Sequence, residues 1–402
     1  MQLSIPSDYR YRFTGHERVL HNVQAEEGLD RVIDLFGYKR VFVVCSRTLN
    51  MRTNVIDRIR KRLGERLVGL TDEVGEHSPL SNIIRAALAV RDSCADVIVS
   101  VGGGSVMDMC KAIQLCLSEK AFDRDSLLRL QFVLSEDGTE MLSSSCAAPA
   151  IRQIAIPTTL ATSEWTPVST PIDTETHRKA RFVVPEGAPR AIIYDPSVLA
   201  LTPTRLLLST GIRGLDHAIN TACSCMPHPF ASLLAVKAIQ LYVENLPLLK
   251  DPANEAAFGN CQLATWYTGM GQMSVPHGFS HWMVHIVGPM ASVAHSDAAC
   301  VLMLAQAKWL EGWAVEQHGQ MREALGRSGP FHEVLAELLH ELRMPTTLDA
   351  LGLSREQVAD MVEPALQHPM VTRNNLRPIE TAADVSAVME LAWAKDVIQA
   401  AG

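Results

Sequence analysis

Ala95–Ile113 reads ADVIVSVGGGSVMDMCKAI. Its first seven residues are almost wholly apolar, the pattern of a strand buried on both faces. Gly102-Gly103-Gly104-Ser105 follow at once, and VMDMCKAI beyond them has helical periodicity. A strand, a glycine turn and a helix start bring backbone N–H groups together where they can cradle a phosphate. A Cβ in the turn would hold a ligand away from that backbone. The pattern is not GxGxxG, and a plain tight turn would use the same residues. Its place between a buried strand and a helix favours phosphate binding.

Outward from this stretch the chain alternates. An amphipathic helix is predicted near Ala25–Phe36, a β-branched strand at Arg40–Cys45 (RVFVVC), a helix at Asn54–Leu67, a short strand at Val68–Val74 and a helix through Val90. Arg152–Pro157 (RQIAIP) is a second apolar strand running into Thr158-Thr159-Leu160-Ala161-Thr162-Ser163-Glu164, and Ala191–Tyr194 (AIIY) is another, ending at Asp195-Pro196. Clustered hydroxyls at a strand end can bond a ribose, amide or phosphate, and can equally form an ST-turn. Strands alternating with helices predict a parallel, doubly wound sheet. Thr202-Pro203 suits an N-cap and first turn, and from there the chain reads as helices. The expected division is an α/β domain over 1–198 and an all-α domain over 199–402, with the boundary near residues 196–202.

A chain of 402 residues that is 47% hydrophobic can bury a large core. A net charge of −8 gives no footprint for nucleic acid or an anionic membrane. No apolar run is long enough to span a membrane, and MQLSIPSDYRYRF lacks the basic and apolar regions of a signal peptide. Nine cysteines without a CxxC pair predict packed thiols in a reducing compartment, so a cytoplasmic protein is expected.

Chemistry concentrates in Gly278–Asp297, GFSHWMVHIVGPMASVAHSD. His281 and His285 share one helix face at i and i+4. Gly288 and Pro289 are expected to end that helix, and the loop beyond to bring His295 back to the same space. Converging imidazoles suit metal ligation, proton transfer or both, while each alone can simply satisfy a local hydrogen bond. Earlier, STGIRGLDHAINTAC (Ser209–Cys223) places Arg213 and His217 on one helix face.

VIVSVGGGSVMDMCKAI, IPTTLATSE, AIIYDP, TGIRGLDHAI, GFSHWMVHIVG and AH, in that order over most of the chain, resemble the iron-containing (group III) alcohol dehydrogenase superfamily. The compact PTTLATSE run and Ser296 after His295 are similar to its maleylacetate reductase branch. The resemblance implies an N-terminal NAD(P)-binding α/β domain, a helical catalytic domain, an interdomain active site and a homodimer. It implies that Gly103, Gly104, Ser105 and Asp108 hold the cofactor pyrophosphate. Thr158, Thr159 and Thr162 would line the ribose and nicotinamide, and Lys179 would lie against the ribose. Ser46 stands where NAD-selective members often carry Asp, so a 2′-phosphate is not repelled and Arg47 can pair with it.

In metal-dependent members an Asp and three histidines hold Fe or Zn. His217, His281 and His295 match the histidines, but the Asp position is Arg213. A guanidinium has no lone pair for a metal. At ~4 Å and an effective dielectric of ~20 it repels a cation by about 4 kcal/mol per unit of metal charge. Asp216, about 60° round the helix, is the one rescue for such a site. The expectation is therefore a metal-free NAD(P)H-dependent oxidoreductase. In it Arg213 clamps a carboxylate of a small oxo-acid or unsaturated dicarboxylate substrate, or else closes the site by an ion pair with Asp216 or Asp297. His285 matches the family's catalytic histidine and would relay the proton, at a pKa near working pH, with His281, His217 and His295 around the substrate. Two other readings stand beside it: an Fe- or Zn-dependent dehydrogenase of small alcohols or aldehydes, and a non-redox lyase, cyclase or binding protein on the same fold. Asn220, where most relatives carry Glu, bears on the latter.

Overall fold

The computed structural model describes Tyr9 and residues 15–134, 141–142 and 146–393. Six parallel strands form the main sheet: β1 (Arg18–His21), β2 (Val41–Cys45), β3 (Leu67–Thr71), β4 (Val97–Gly102), β5 (Arg152–Pro157) and β6 (Ala191–Tyr194). Their order is β1-β6-β5-β4-β2-β3. β4 is central, paired from Val97 opposite Arg152 to Gly102 opposite Pro157 on one side, and with Val41–Cys45 on the other. Its six residues are all buried, as expected of a parallel strand covered on both faces. From β2 the chain winds to β3 on one side and crosses back to β4 on the other. The carboxyl ends of β2 and β4 therefore flank the switch point where ligands of such sheets bind.

Helix α1 (Gly104–Glu119) leaves β4 through the glycine turn. A Cβ on Gly102 would stand 2.4 Å from Val106 Cγ2, and one on Gly103 would stand 3.0 Å from Thr159 Cγ2. The turn thus needs glycine at both places. After Tyr194 no further strand occurs among the described residues. α2 (Thr204–Ala222), α3 (Glu255–Gln272), α4 (Phe279–Ala291) and α5 (His295–Trp309) carry the second apolar core. The N-terminus of α2 differs from expectation: Pro203 is its N-cap, and Thr202 instead donates its hydroxyl to Thr158 O at 2.6 Å, tying the helical half to the end of β5.

The end of α4 also differs. The helix continues past Gly288 and Pro289 to Ala291, and turns at Ser292 (φ 53°). Proline removes the N–H that would have bonded His285 O one turn back, a single intrahelical bond of α4. Pro289 sits late enough in α4 to be tolerated. Residues 292–294 then suffice to return the chain, and His295 opens α5.

Candidate active site in the interdomain cleft

A cavity of about 830 Å³ opens at the carboxyl ends of β2, β3, β4 and β5. Ser46, Arg47, Gly103, Gly104, Ser105 and Thr159 line it, with Asp72, Glu73, Arg85 and Leu206 among the others. Asp72 accepts from Asn50 Nδ2 at 2.8 Å, and Glu73 holds Arg85 at 3.0 Å. Ser46 uses its hydroxyl as an N-cap, accepting from Leu49 N at 3.2 Å. Four residues assigned to the cofactor are not among those lining this cavity, and one of them, Lys179, lies on the exposed strand Arg178–Lys179. Thr158 is buried beneath the turn, and its carbonyl takes the Thr202 bond. Thr162, buried with φ 60°, touches His217 Nδ1 at 3.0 Å and so supports the catalytic half. Asp108 is consumed inside the fold: Oδ1 accepts from Ser163 Oγ (2.7 Å) and Lys111 Nζ (3.3 Å), and Oδ2 from Thr170 N (3.0 Å).

On the helical side, reached from the end of β5 through Thr162, lies a cluster of imidazoles. α2 contributes Arg213, Asp216 and His217, α4 contributes His281 and His285, and α5 contributes His295. Ring centroids lie 5.0 Å apart for His217–His281, 6.0 Å for His281–His285 and 5.0 Å for His285–His295. All the histidines read from the motifs are therefore brought together. His277, just before α4, joins them at 4.6 Å from His281. It extends the i, i+4 series of His281 and His285 backwards by one step, the signal by which the sequence shows it.

Arg213 bridges the cluster. Nη1 donates to Asp216 Oδ2 at 2.8 Å, and Nη2 lies 3.2 Å from His281 Nδ1. Asp297 pairs instead with Arg205 at 2.6 Å. Burial pushes the Asp216 carboxyl upward, but Arg213, Ser280 Oγ (2.6 Å) and Asn220 Nδ2 (2.9 Å) all donate to it and favour the carboxylate. Asn220 also explains itself here. Its Oδ1 accepts from Gly278 N (3.0 Å) and Gln306 Nε2 (3.2 Å). A glutamate in its place would set a second carboxylate against Asp216. Phe279 N and Ser280 N go to Asn375 and Gln306 side chains at 2.8 and 2.7 Å. The first turn of α4, whose N-cap glycine has no side chain, is thus satisfied from three neighbouring segments.

The histidines are held neutral. Burial, then the charge of Arg213, pushes His285 and His277 down to about 3, and His295, exposed at the start of α5, is lowered as well. His217 and His281 are held well below their usual value for the same reasons. Arg181 and Lys179 add to the effect on His285, and Lys179 to that on His295. A pKa near working pH for His285 is therefore not what the unliganded site supplies. The surrounding cations disfavour imidazolium, and an anion among them would reverse that bias.

Asp216, His217 and His281 each offer a ligand atom, all within 4.8 Å of one another. His217 Nε2 is buried without a hydrogen-bond partner. A divalent ion fits this set poorly. The Arg213 guanidinium already bonds two of the three donors, Asp216 and His281, and sets a positive charge beside them.

Residues 17–196 match the family model for iron-containing alcohol dehydrogenase, and residues 207–393 match that of the C-terminal domain of the same family. The chain belongs to the iron-containing alcohol dehydrogenase family. The maleylacetate reductase of Burkholderia cepacia is 27% identical over 380 residues, covering 94% of this chain and 95% of that protein. The crystal structure of maleylacetate reductase from Rhizobium sp. strain MTP-10005 has a TM-score of 0.78 at 23% identity, covering 96% of this chain and 99% of that one. Sulfoacetaldehyde reductase from Bifidobacterium kashiwanohense, solved in complex with NAD⁺, has a TM-score of 0.84 at 21% identity, covering 97% and 100%. The resemblance to the maleylacetate reductase branch holds across nearly the whole chain, and the protein is an NAD(P)-dependent oxidoreductase. No helix among the described residues is long and apolar enough to cross a membrane.

Proposed function

We propose that this enzyme reduces a small oxo-acid or unsaturated dicarboxylate with NAD(P)H and needs no metal to do so. The observation that carries the reading is Arg213, 11% exposed and bonded to both Asp216 and His281. A guanidinium there supplies the positive charge that a metal would bring, without an open coordination position. It recognises a carboxylate by a planar fork of donors. Lys179 and Arg181, whose charges act on His285, would receive a second carboxylate.

The nicotinamide supplies the hydride. The N–H groups of Gly104 and Ser105 at the start of α1, where helix dipole and backbone donors coincide, would hold the cofactor phosphates. No carboxylate stands at Ser46 and Arg47 lines the same cavity, so a 2′-phosphate is accommodated and NADPH serves as well as NADH. As hydride arrives, negative charge grows on the substrate oxygen. Arg213 and the neutral imidazoles stabilise it by preorganised donors. His285 then relays the proton, the bound anion having offset the cations that hold this ring neutral. A cytoplasmic homodimer belongs to the same reading, the first from cysteine usage and the second from the family resemblance.

The test is Arg213→Ala. Reduction of an oxo-dicarboxylate should lose about ten- to hundredfold in kcat/KM, the worth of one charge-assisted hydrogen bond, while an uncharged aldehyde is little affected. Equal kcat/KM for the oxo-acid before and after the substitution rules out the clamp. A metal-dependent alcohol or aldehyde dehydrogenase is the competing reading, favoured by the compact Asp216, His217 and His281 donor set. It requires Arg213 to leave that set.

A further inference from the structure

His277 is buried, and neither the family motifs nor the mechanism above uses it. Its Nε2 lies 3.4 Å from Thr221 Oγ1, whose own proton goes to His217 O at 2.8 Å. A hydroxyl has a single proton to give, so Thr221 accepts and His277 Nε2 carries the hydrogen. In the neutral ring, Nδ1 is then a bare acceptor. That atom faces His281 Nδ1 at 3.3 Å.

Arg213 Nη2 lies 3.2 Å from the same His281 Nδ1, and a guanidinium can only donate. One nitrogen therefore receives two incompatible claims. If His281 Nδ1 is bare, it accepts from Arg213, but two lone pairs then oppose each other across 3.3 Å. If it carries the proton, it donates to His277, and the Arg213 N–H loses its partner. Neither tautomer satisfies both neighbours. The structure holds them in competition.

We propose that His277 is a positioning residue that sets the tautomer of His281 and couples it to capture of the substrate carboxylate by Arg213. In the free enzyme Arg213 holds His281 Nδ1 as acceptor and the proton sits on Nε2. A carboxylate that takes the Nη2 donor removes that claim. His281 then carries its proton on Nδ1, donated to His277, and Nε2 becomes an acceptor within the cluster of His217 and His285. The ring stays neutral: water takes one proton from Nε2 and returns one to Nδ1, with no net change in protonation. The hydrogen-bonding sense of the cluster thus turns over only when an anionic substrate is seated, which ties proton delivery to correct binding.

This rests on the carboxylate reading of Arg213, and one pair of variants separates the two. Asn at this position puts an amide oxygen close to where Nδ1 stands, keeping an acceptor for His281. Gln reaches toward Nε2 and keeps only the Thr221 contact. His277→Gln should lower kcat for an oxo-dicarboxylate by roughly tenfold or more with KM within about threefold, and His277→Asn should stay within about threefold on both. Both variants should bind NADPH and, at pH 7.5, unfold as wild type does, so that a folding defect is recognised as such. Equal impairment of the two, or none in either, overturns the proposal. Histidine nitrogen NMR with succinate as the probe reads the tautomer without turnover: His281 Nδ1 should be bare in the free enzyme and protonated with succinate bound, and an unchanged Nδ1 also overturns it. Failure of the clamp would show itself separately, as an oxo-acid KM indifferent to Arg213→Ala.

Discussion

Two buried ion pairs at the same i, i+3 spacing behave differently in this protein. Lys111–Asp108 on α1 joins a fully buried ammonium to a carboxylate that is 18% exposed, and Arg213–Asp216 on α2 joins a guanidinium 11% exposed to a fully buried carboxylate. Lys111 Nζ also meets Ser163 O at 2.7 Å and Val168 O at 2.8 Å, which uses all that an ammonium can donate. Asp108 is equally saturated by Ser163 and Thr170. That pair rivets α1 to the segment after β5. Arg213 gives one N–H to Asp216 and one to an imidazole nitrogen that His277 also claims. A charge whose partners fill it is structure. A charge sharing its partner under competition is poised to exchange that partner for a ligand.

Removing Lys111 should produce the largest effect. Lys111→Met leaves Asp108 without its cation and takes a donor from Ser163 O and Val168 O, a loss of about 3–5 kcal/mol, seen as a large drop in thermal midpoint. A small drop would make the rivet an ornament. Arg213→Ala should cost less in stability than Lys111→Met while losing oxo-acid turnover as described, and Arg213→Asp should in addition restore affinity for a divalent ion, measured by zinc titration. If Arg213→Ala is as damaging to the fold as Lys111→Met, the contrast between the two pairs disappears.

Acid should act on the cluster side. The folded-state pKa values of His277 and His285 lie below the ordinary histidine value of about 6.5. The unfolded chain therefore binds more protons than the folded one between about pH 6.5 and 3, and stability is full above that window. It falls through it as pH drops, by about 1.4 kcal/mol per pH unit for each such histidine. Urea midpoints between pH 7.5 and 5 should fall less steeply in His277→Asn; an unchanged slope would contradict the assignment. The smallest expected effect is on the cofactor side. Ser46→Asp places a carboxylate on the cavity wall and should raise KM for NADPH by about tenfold with little change for NADH. No change for either cofactor would remove Ser46 from the phosphate site.

The parallel sheet was legible because its signals are local: apolar runs in β2, β4 and β5, and the glycine turn at a strand end. The histidine cluster was legible through helical spacing together with ordered motifs. Other features depend on where side chains point after packing, which neighbours along the chain do not reveal. Asp108 and Thr162 sit in motifs beside the cofactor cavity, yet face Lys111 and His217. Pro289 reads as a helix stop, but so near the end of α4 it removes only the one bond to His285 O. The choice between Asp216 and Asp297 as partner of Arg213 depends on the packing of α2 against α5, which leaves Asp297 to Arg205. His277 was overlooked because it precedes the helix whose face it shares.

The account rests on a guanidinium serving where relatives bind a cation, so metal content and turnover measured on one sample test it most directly. After dialysis against a strong chelator, the enzyme should hold no stoichiometric iron or zinc and should still reduce an oxo-dicarboxylate at its full rate. One tightly bound ion per chain, whose removal abolishes turnover and whose return restores it, would contradict the account.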